Sequence, residues 1–170
     1  MPKSLLTPDI MVRRVYEVPA ETLAARGVRA VISDLDNTLV GWHEEDITAE
    51  ISTWLKDLRD AGIKVCLASN TRRLPRLTRL ATQWGVLHVP GNAGKPGTKG
   101  LEHALRLMEA RPHEAAMVGD QLFTDIVAGN RLGLLTVLVN PLSPKEFIGT
   151  RLISRRLEQL VLRGSRRRPE

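Results

Sequence analysis

The sequence predicts an α/β protein, a doubly wound, three-layer, Rossmann-like sandwich built on a parallel sheet of about five strands. Three observations carry that prediction. Short apolar runs rich in valine and isoleucine recur: AVISDL (30–35), IKVCLA (63–68), VLHV (86–89), AAMVG (115–119) and LTVLV (135–139). Runs this short and this apolar suit strands buried on both faces. The stretches between them carry apolar residues at helical spacing, and such alternation produces parallel strands with helices on either side. Polar residues gather just after the strand ends, where an open α/β sheet binds its ligands.

The elements follow in order. Residues 1–29 have no clear period and are expected to form an N-terminal extension packed on the core. After the first strand, Ile47, Ile51, Trp54, Leu55 and Leu58 mark one helix face, and Gly62 ends that helix as a C′ glycine. After the second strand, Leu74, Leu77, Leu80, Ala81 and Trp84 mark another, ended by Gly85. A third helix carries Leu101, Ala104, Leu105 and Met108. A shorter fourth follows GDQLF, with Ile126 and Val127 inward, and a last helix is expected at about 147–162. The core thus runs over 30–162. Residues 163–170, GSRRRPE preceded by an arginine, are expected to be a basic, disordered tail.

A chain of 170 residues suits one domain with a real core. Its single cysteine, Cys66, excludes an internal disulfide and a multi-cysteine zinc site. No stretch reads as a signal peptide or a membrane span, so a cytoplasmic location is expected. Residues 151–170 hold seven arginines against two glutamates, which supplies +5 of the net +6. The body is nearly neutral, which argues against a general affinity for nucleic acid, while the end of the chain seeks anions.

Four strand ends deliver polar groups to one rim. The first brings Asp34 and Asp36, with Thr38 after them; the second brings Ser69 and Asn70. The loop PGNAGKPGTKG brings Lys95, with Lys99 as the competing lysine, and GDQLFTD brings Asp120 and Asp125. Ionised carboxylates crowded together need a cation. Oxygen donors without histidine or cysteine select a hard ion, so magnesium (Mg2+) is the expected cofactor. The four histidines have no ligand spacing. A lysine and a serine/asparagine pair beside the ion suit a bound phosphate. One carboxylate can then attack phosphorus while a second handles protons.

In that order and rough spacing, DLDNT, ASN, GKP and GDQLFTD resemble the four motifs of the haloacid dehalogenase (HAD) superfamily. DLDNTLV together with GDQLFTDIVAGNRLGL is similar to the YqeG-type phosphatases of subclass IIIA, whose relatives include the phosphatidylglycerophosphate phosphatases. The resemblance spans roughly residues 29–142. It implies that Asp34 is the nucleophile, forming an aspartyl-phosphate, and that Asp36 is the general acid and base. It further implies that Lys95 neutralises charge, that Ser69 and Asn70 bind the phosphoryl group with Thr38 supporting the loop, and that Asp34, Asp36, Asp120 and Asp125 hold Mg2+. The intervals from Asp36 to Ser69 and from Ser69 to Lys95 each have room for one helix and one strand, so no cap domain is expected. An open site suits a phosphorylated headgroup such as phosphatidylglycerophosphate, with residues 151–170 against an anionic membrane. It also suits soluble sugar phosphates or nucleotides with a neighbouring subunit as lid, so an oligomer is compatible. A non-enzymatic domain storing phosphate on Asp34 is the alternative from another class, and Asp36 argues against it. Nucleic acid is the least favoured partner.

Overall fold

In the computed structural model the described residues are 3–143. The helix expected at 147–162 and the basic tail lie outside them. The sheet has six strands, all parallel: β1 (Ile10–Val12), β2 (Ala30–Ser33), β3 (Lys64–Leu67), β4 (Leu87–His88), β5 (Ala115–Gly119) and β6 (Leu135–Val139). Their order across the sheet is β1-β6-β5-β2-β3-β4. Five of these were expected. The sixth, β1, lies within the first 29 residues and pairs with the far edge, Ile10 opposite Val137 and Val12 opposite Val139.

The helices are α1 (Ala20–Ala25), α2 (Ala49–Asp60), α3 (Leu74–Trp84), α4 (Lys99–Met108) and α5 (Val127–Leu132). Local chemistry sets their ends. Thr48 caps α2 by accepting from the Ile51 N–H at 3.3 Å. Gly85 ends α3 in the left-handed region, at φ 64°, where a side chain would be strained. Leu74, expected on the inward face of α3, is 38% exposed at its first turn, whereas Arg76 of the same turn is buried. Ile47 precedes α2 rather than belonging to it and packs against the core from there.

The strand alternation splits the interior into two layers. Val31, Val65 and Leu67 face one side, where Leu23 of α1, Ile51, Trp54, Leu55 and Leu58 of α2, and Leu77, Leu80 and Ala81 of α3 cover them. Ala30, Ile32, Cys66 and Met117 face the other, covered by Leu101, Ala104, Leu105 and Met108 of α4 and Ala128 of α5. Val15, Val18, Ala20, Leu23 and Val28 bring the N-terminal segment into the first core, and the Trp54 indole N–H donates to the Val18 carbonyl at 2.9 Å. Each fully buried Leu or Ile contributes on the order of 2 kcal/mol through burial.

Strands β3 and β4 follow β2 to one side, while β5 and β6 lie on the other. The direction of winding reverses between β2 and β5. Loops leaving those two strands diverge and leave a crevice at their carboxyl ends. Among the described residues no separate cap domain interrupts the elements around it.

Candidate active site

The crevice at the β2/β5 junction holds the acidic residues. The chain leaves β2 with the Asp34 N–H still bonded to the Val118 carbonyl at 2.9 Å, which fixes the start of the loop. Asn37 turns it at a positive φ of 61°, and its N–H donates to the Val40 carbonyl at 2.7 Å. An asparagine tolerates that conformation better than most residues. The turn projects Asp34 and Asp36 from nearby points of one rigid loop.

After β5 come Asp120 and a π-helical turn, Leu122–Ile126, that carries Asp125. Asp125 is 0% exposed. Its carboxylate accepts from the Gln121 N–H at 3.1 Å and lies against Gly119, where any Cβ would collide with it. One carboxylate oxygen each from Asp34, Asp120 and Asp125 fall within 4.8 Å of one another. The sequence places these residues up to 91 positions apart; the β2–β5 pairing brings them together.

Lys95 is buried between the acids, 2.6 Å from Asp125 Oδ1 and 3.2 Å from Asp34 Oδ1. Burial opposes its charge, but the two carboxylates outweigh burial and hold the ammonium above its ordinary value. Lys99, the competing lysine, is exposed at the start of α4. Asn70 fastens the Lys95 loop: its amide donates to the Lys95 carbonyl at 2.8 Å and accepts from the Lys95 N–H at 3.0 Å. Ser69 Oγ accepts from the Thr71 N–H at 3.1 Å, which leaves its hydroxyl proton available. Thr38 is buried and donates to Asp120 Oδ1 at 3.0 Å, so it orients Asp120.

The charge balance calls for a cation. Three buried carboxylates face one ammonium. Burial, reinforced by the Asp34 carboxylate, pushes the Asp120 and Asp125 carboxyls up from the ordinary range, with Lys95 opposing at Asp125. An all-oxygen donor set with that deficit fits a hard divalent ion. Asp36 is also raised: burial dominates, and the Arg76 guanidinium, 2.7 Å from Asp36 Oδ1, opposes it. Cys66 is no rival nucleophile, since burial pushes its thiol up to about 12.

A cleft of about 370 Å³ opens above the cluster, lined by Asp34, Asp36, Ser69, Lys95, Trp42 and Arg73 among others. Trp42 forms part of its wall. The sequence reading missed the arginines. Arg76 is buried on α3, donating to the Gly41 and Glu44 carbonyls at 3.2 and 2.6 Å as well as to Asp36. Arg73 lies over the Trp42 ring, 4.3 Å from its centroid. The available signal was the run TRR directly after the polar end of β3.

Comparison with known proteins shows the family. The model of the haloacid dehalogenase-like hydrolase family matches residues 8–133. The chain is 33% identical over 168 residues to the probable phosphatase YqeG of Bacillus subtilis, covering 99% of this chain and 96% of that one. It is 30% identical over 172 residues to phosphatidylglycerophosphate phosphatase 1 of Arabidopsis thaliana, covering 95% of this chain and 48% of that protein. Among solved structures, the cobalt-bound deoxy-D-mannose-octulosonate 8-phosphate phosphatase of Haemophilus influenzae shares the fold, with a TM-score of 0.52, 20% identity, and 68% of this chain and 80% of that one covered. The chain therefore belongs to the haloacid dehalogenase-like hydrolases, closely related to YqeG-type phosphatases, and is an enzyme centred on its aspartate cluster.

Proposed function

We propose that the protein is a Mg2+-dependent phosphomonoester hydrolase that works through an aspartyl-phosphate on Asp34, with phosphatidylglycerophosphate or a similar phosphorylated headgroup as substrate. The observation that carries the mechanism is the junction of Asp34, Asp120 and Asp125 within 4.8 Å, with Lys95 between two of them. The substrate class is supported by the likeness to the Arabidopsis enzyme and by a cleft that no cap domain covers among the described residues.

Asp34, Asp120, Asp125 and the Asp36 backbone carbonyl would hold Mg2+, whose charge would offset that of the phosphate and the carboxylates. A carboxylate oxygen of Asp34 forms a bond to phosphorus as the bond from phosphorus to the ester oxygen breaks. Asp36 gives its proton to the departing alkoxide. The Asp36 carboxylate then takes a proton from water as that water attacks phosphorus, releasing inorganic phosphate and free Asp34. Burial raises Asp36 while the Arg76 and Arg73 guanidinium groups oppose it, and the net upward shift suits a group that must carry a proton in one step and take one in the next. Lys95 and the Ser69 hydroxyl hold phosphoryl oxygens, and Thr38 and Asn70 keep Asp120 and Lys95 in place. Most of the rate gain is charge neutralisation and alignment. The arginine-rich residues 151–170 would bring the enzyme to an anionic bilayer.

The test is phosphate release with Mg2+ from a panel of soluble monoesters and micellar lipid phosphates, with Asp34→Asn alongside. The wild type should turn over, preferring the lipid headgroup. Asp34→Asn should remain folded and lose activity by at least about a thousandfold, as expected for removal of a covalent nucleophile. Retained turnover in that variant would falsify the mechanism. A preference for soluble sugar phosphates would replace the substrate assignment and leave the mechanism standing.

A further inference from the structure

Arg76 is a charge buried where the packing of α3 needs none. Its helix neighbours Leu77, Leu80 and Ala81 cover the sheet, while the Arg76 guanidinium meets polar partners. An arginine is almost never fully buried unless it is paired, so those partners are the reason to look for its role. Nη2 donates to the Glu44 carbonyl at 2.6 Å and to the Gly41 carbonyl at 3.2 Å, and Nε lies 3.4 Å from Glu45 Oε1. These contacts pin the loop after Asp36 to α3. The remaining one, from Nη1 to Asp36 Oδ1 at 2.7 Å, does something else. The backbone at Asp36 is already set by the turn at Asn37 and by the bridge between Asp36 and Val40. What the guanidinium adds there is a hold on the side chain.

Both arginines that reach Asp36 take the same oxygen. Arg73 Nη2 also lies 3.5 Å from Oδ1, and no hydrogen bond from a described residue reaches Oδ2. A guanidinium has no acceptor and keeps its protons. Oδ1 facing two of them is an acceptor, and a proton placed on it would displace Arg76. Oδ2 is the oxygen left to exchange a proton with a group in the cleft that Asp36 lines.

We propose that Arg76 is a positioning residue for proton transfer: by holding Asp36 through Oδ1 it fixes the rotation of the carboxyl and presents Oδ2 to the reacting groups. The proton that goes to the departing ester oxygen leaves from Oδ2, and the proton taken from the attacking water returns to Oδ2. Arg76 itself gives up none. This rests on the role of Asp36 in the phosphatase mechanism proposed above.

The experiment measures kcat/KM, which reads the steps up to departure of the leaving group, for the full chain with Mg2+. Two substrates are compared: the best alkyl monoester of the panel above, whose leaving oxygen needs a proton, and p-nitrophenyl phosphate, whose leaving group departs as an anion. Arg76→Gln should lower kcat/KM for the alkyl ester by about a hundredfold, as expected when an acid is misplaced by about 1 Å. For p-nitrophenyl phosphate the loss should stay below about tenfold. In an Asp36→Asn background, adding Arg76→Gln should cost less than about twofold on either substrate, because the group it positions no longer transfers protons. Equal losses on the two substrates, or the full loss persisting in the Asp36→Asn background, would overturn the proposal and make Arg76 a pin for the loop alone. Should Arg76→Gln fail to fold, the same ratio is read on Arg76→Lys, whose single ammonium replaces the fork. A loss of about tenfold confined to the alkyl ester is expected there, and an unchanged ratio overturns the proposal. If Asp36→Asn itself loses equally on both substrates, the acid role given to Asp36 above falls and takes this one with it.

Discussion

Gly119 shows how much a single position can decide. It is the last residue of β5, and the space a side chain would fill holds the Asp125 carboxylate. Gly119→Ala must therefore push Asp125 away from Lys95 and from the other two acids. Overpacking of this kind costs about 1–3 kcal/mol, so the melting temperature should fall by several degrees. Activity should fall further than the folded fraction does, because the displaced group belongs to the charge cluster. Calorimetry and phosphate release on the same sample check both, and full activity in a stable variant would show that Asp125 is not needed where it lies. Asp34 and Asp36 were legible as functional because two carboxylates at the end of an apolar strand have no packing reason to be there. Arg76 was not legible. On α3 it occupies a helical position that reads as solvent-facing, and only the loop from Gly41 to Glu45 folding over it makes it a buried partner of Asp36.

At the scale of elements, the strand edge formed by β1 depends on few residues. Asp9 precedes β1 and binds Thr136 at the start of β6: its carboxylate accepts from the Thr136 N–H at 2.8 Å and pairs with Lys3 at 2.6 Å. Partial burial works against ionisation of Asp9, but Lys3 and Thr136 outweigh it and hold the carboxyl below its ordinary value. A depressed acid stabilises the fold above the unfolded pKa, and that stability is lost as pH falls through the folded pKa. Asp9→Asn should thus melt below the wild type at pH 7, and the gap should close below about pH 4. A gap that does not change with pH would mean that hydrogen bonding alone, without charge, ties this edge. Five strands were legible because each is a short apolar run between helical patterns. β1 was not, since three residues, half-buried at an edge, are too few for any period. The fourth helix was legible only as a helix. Its opening π turn, which aims Asp125 inward, depends on contacts with β5 and β6.

At the scale of the whole molecule, the cluster makes stability depend on pH and on metal in opposite senses. Asp120 and Asp125 are raised by burial and by their carboxylate neighbours. A carboxyl raised in the folded state favours folding when protonated, so stability is lost as pH climbs from the ordinary carboxylate range through the raised folded values. The metal-free protein should melt higher near pH 5 than near pH 8. A divalent cation bound by the same oxygens should reverse the effect, raising the melting temperature most at pH 8. Scanning calorimetry in EDTA and in millimolar Mg2+ reads this directly. A melting temperature indifferent to Mg2+ at pH 8 would argue that the acids do not form a metal site.

The sequence by itself determined the layered α/β architecture, the rim on which function lies, and the kind of chemistry its acids could do. Periodicity, strand composition and residue type are local properties, and they survive in a linear text. Only the tertiary structure decided that Arg76 and Arg73 hold Asp36, that Lys95 lies buried between Asp34 and Asp125, and that residues 10–12 complete the sheet. Those outcomes depend on pairings between distant segments. A charge becomes buried, shared or spare only when the chain has closed around it.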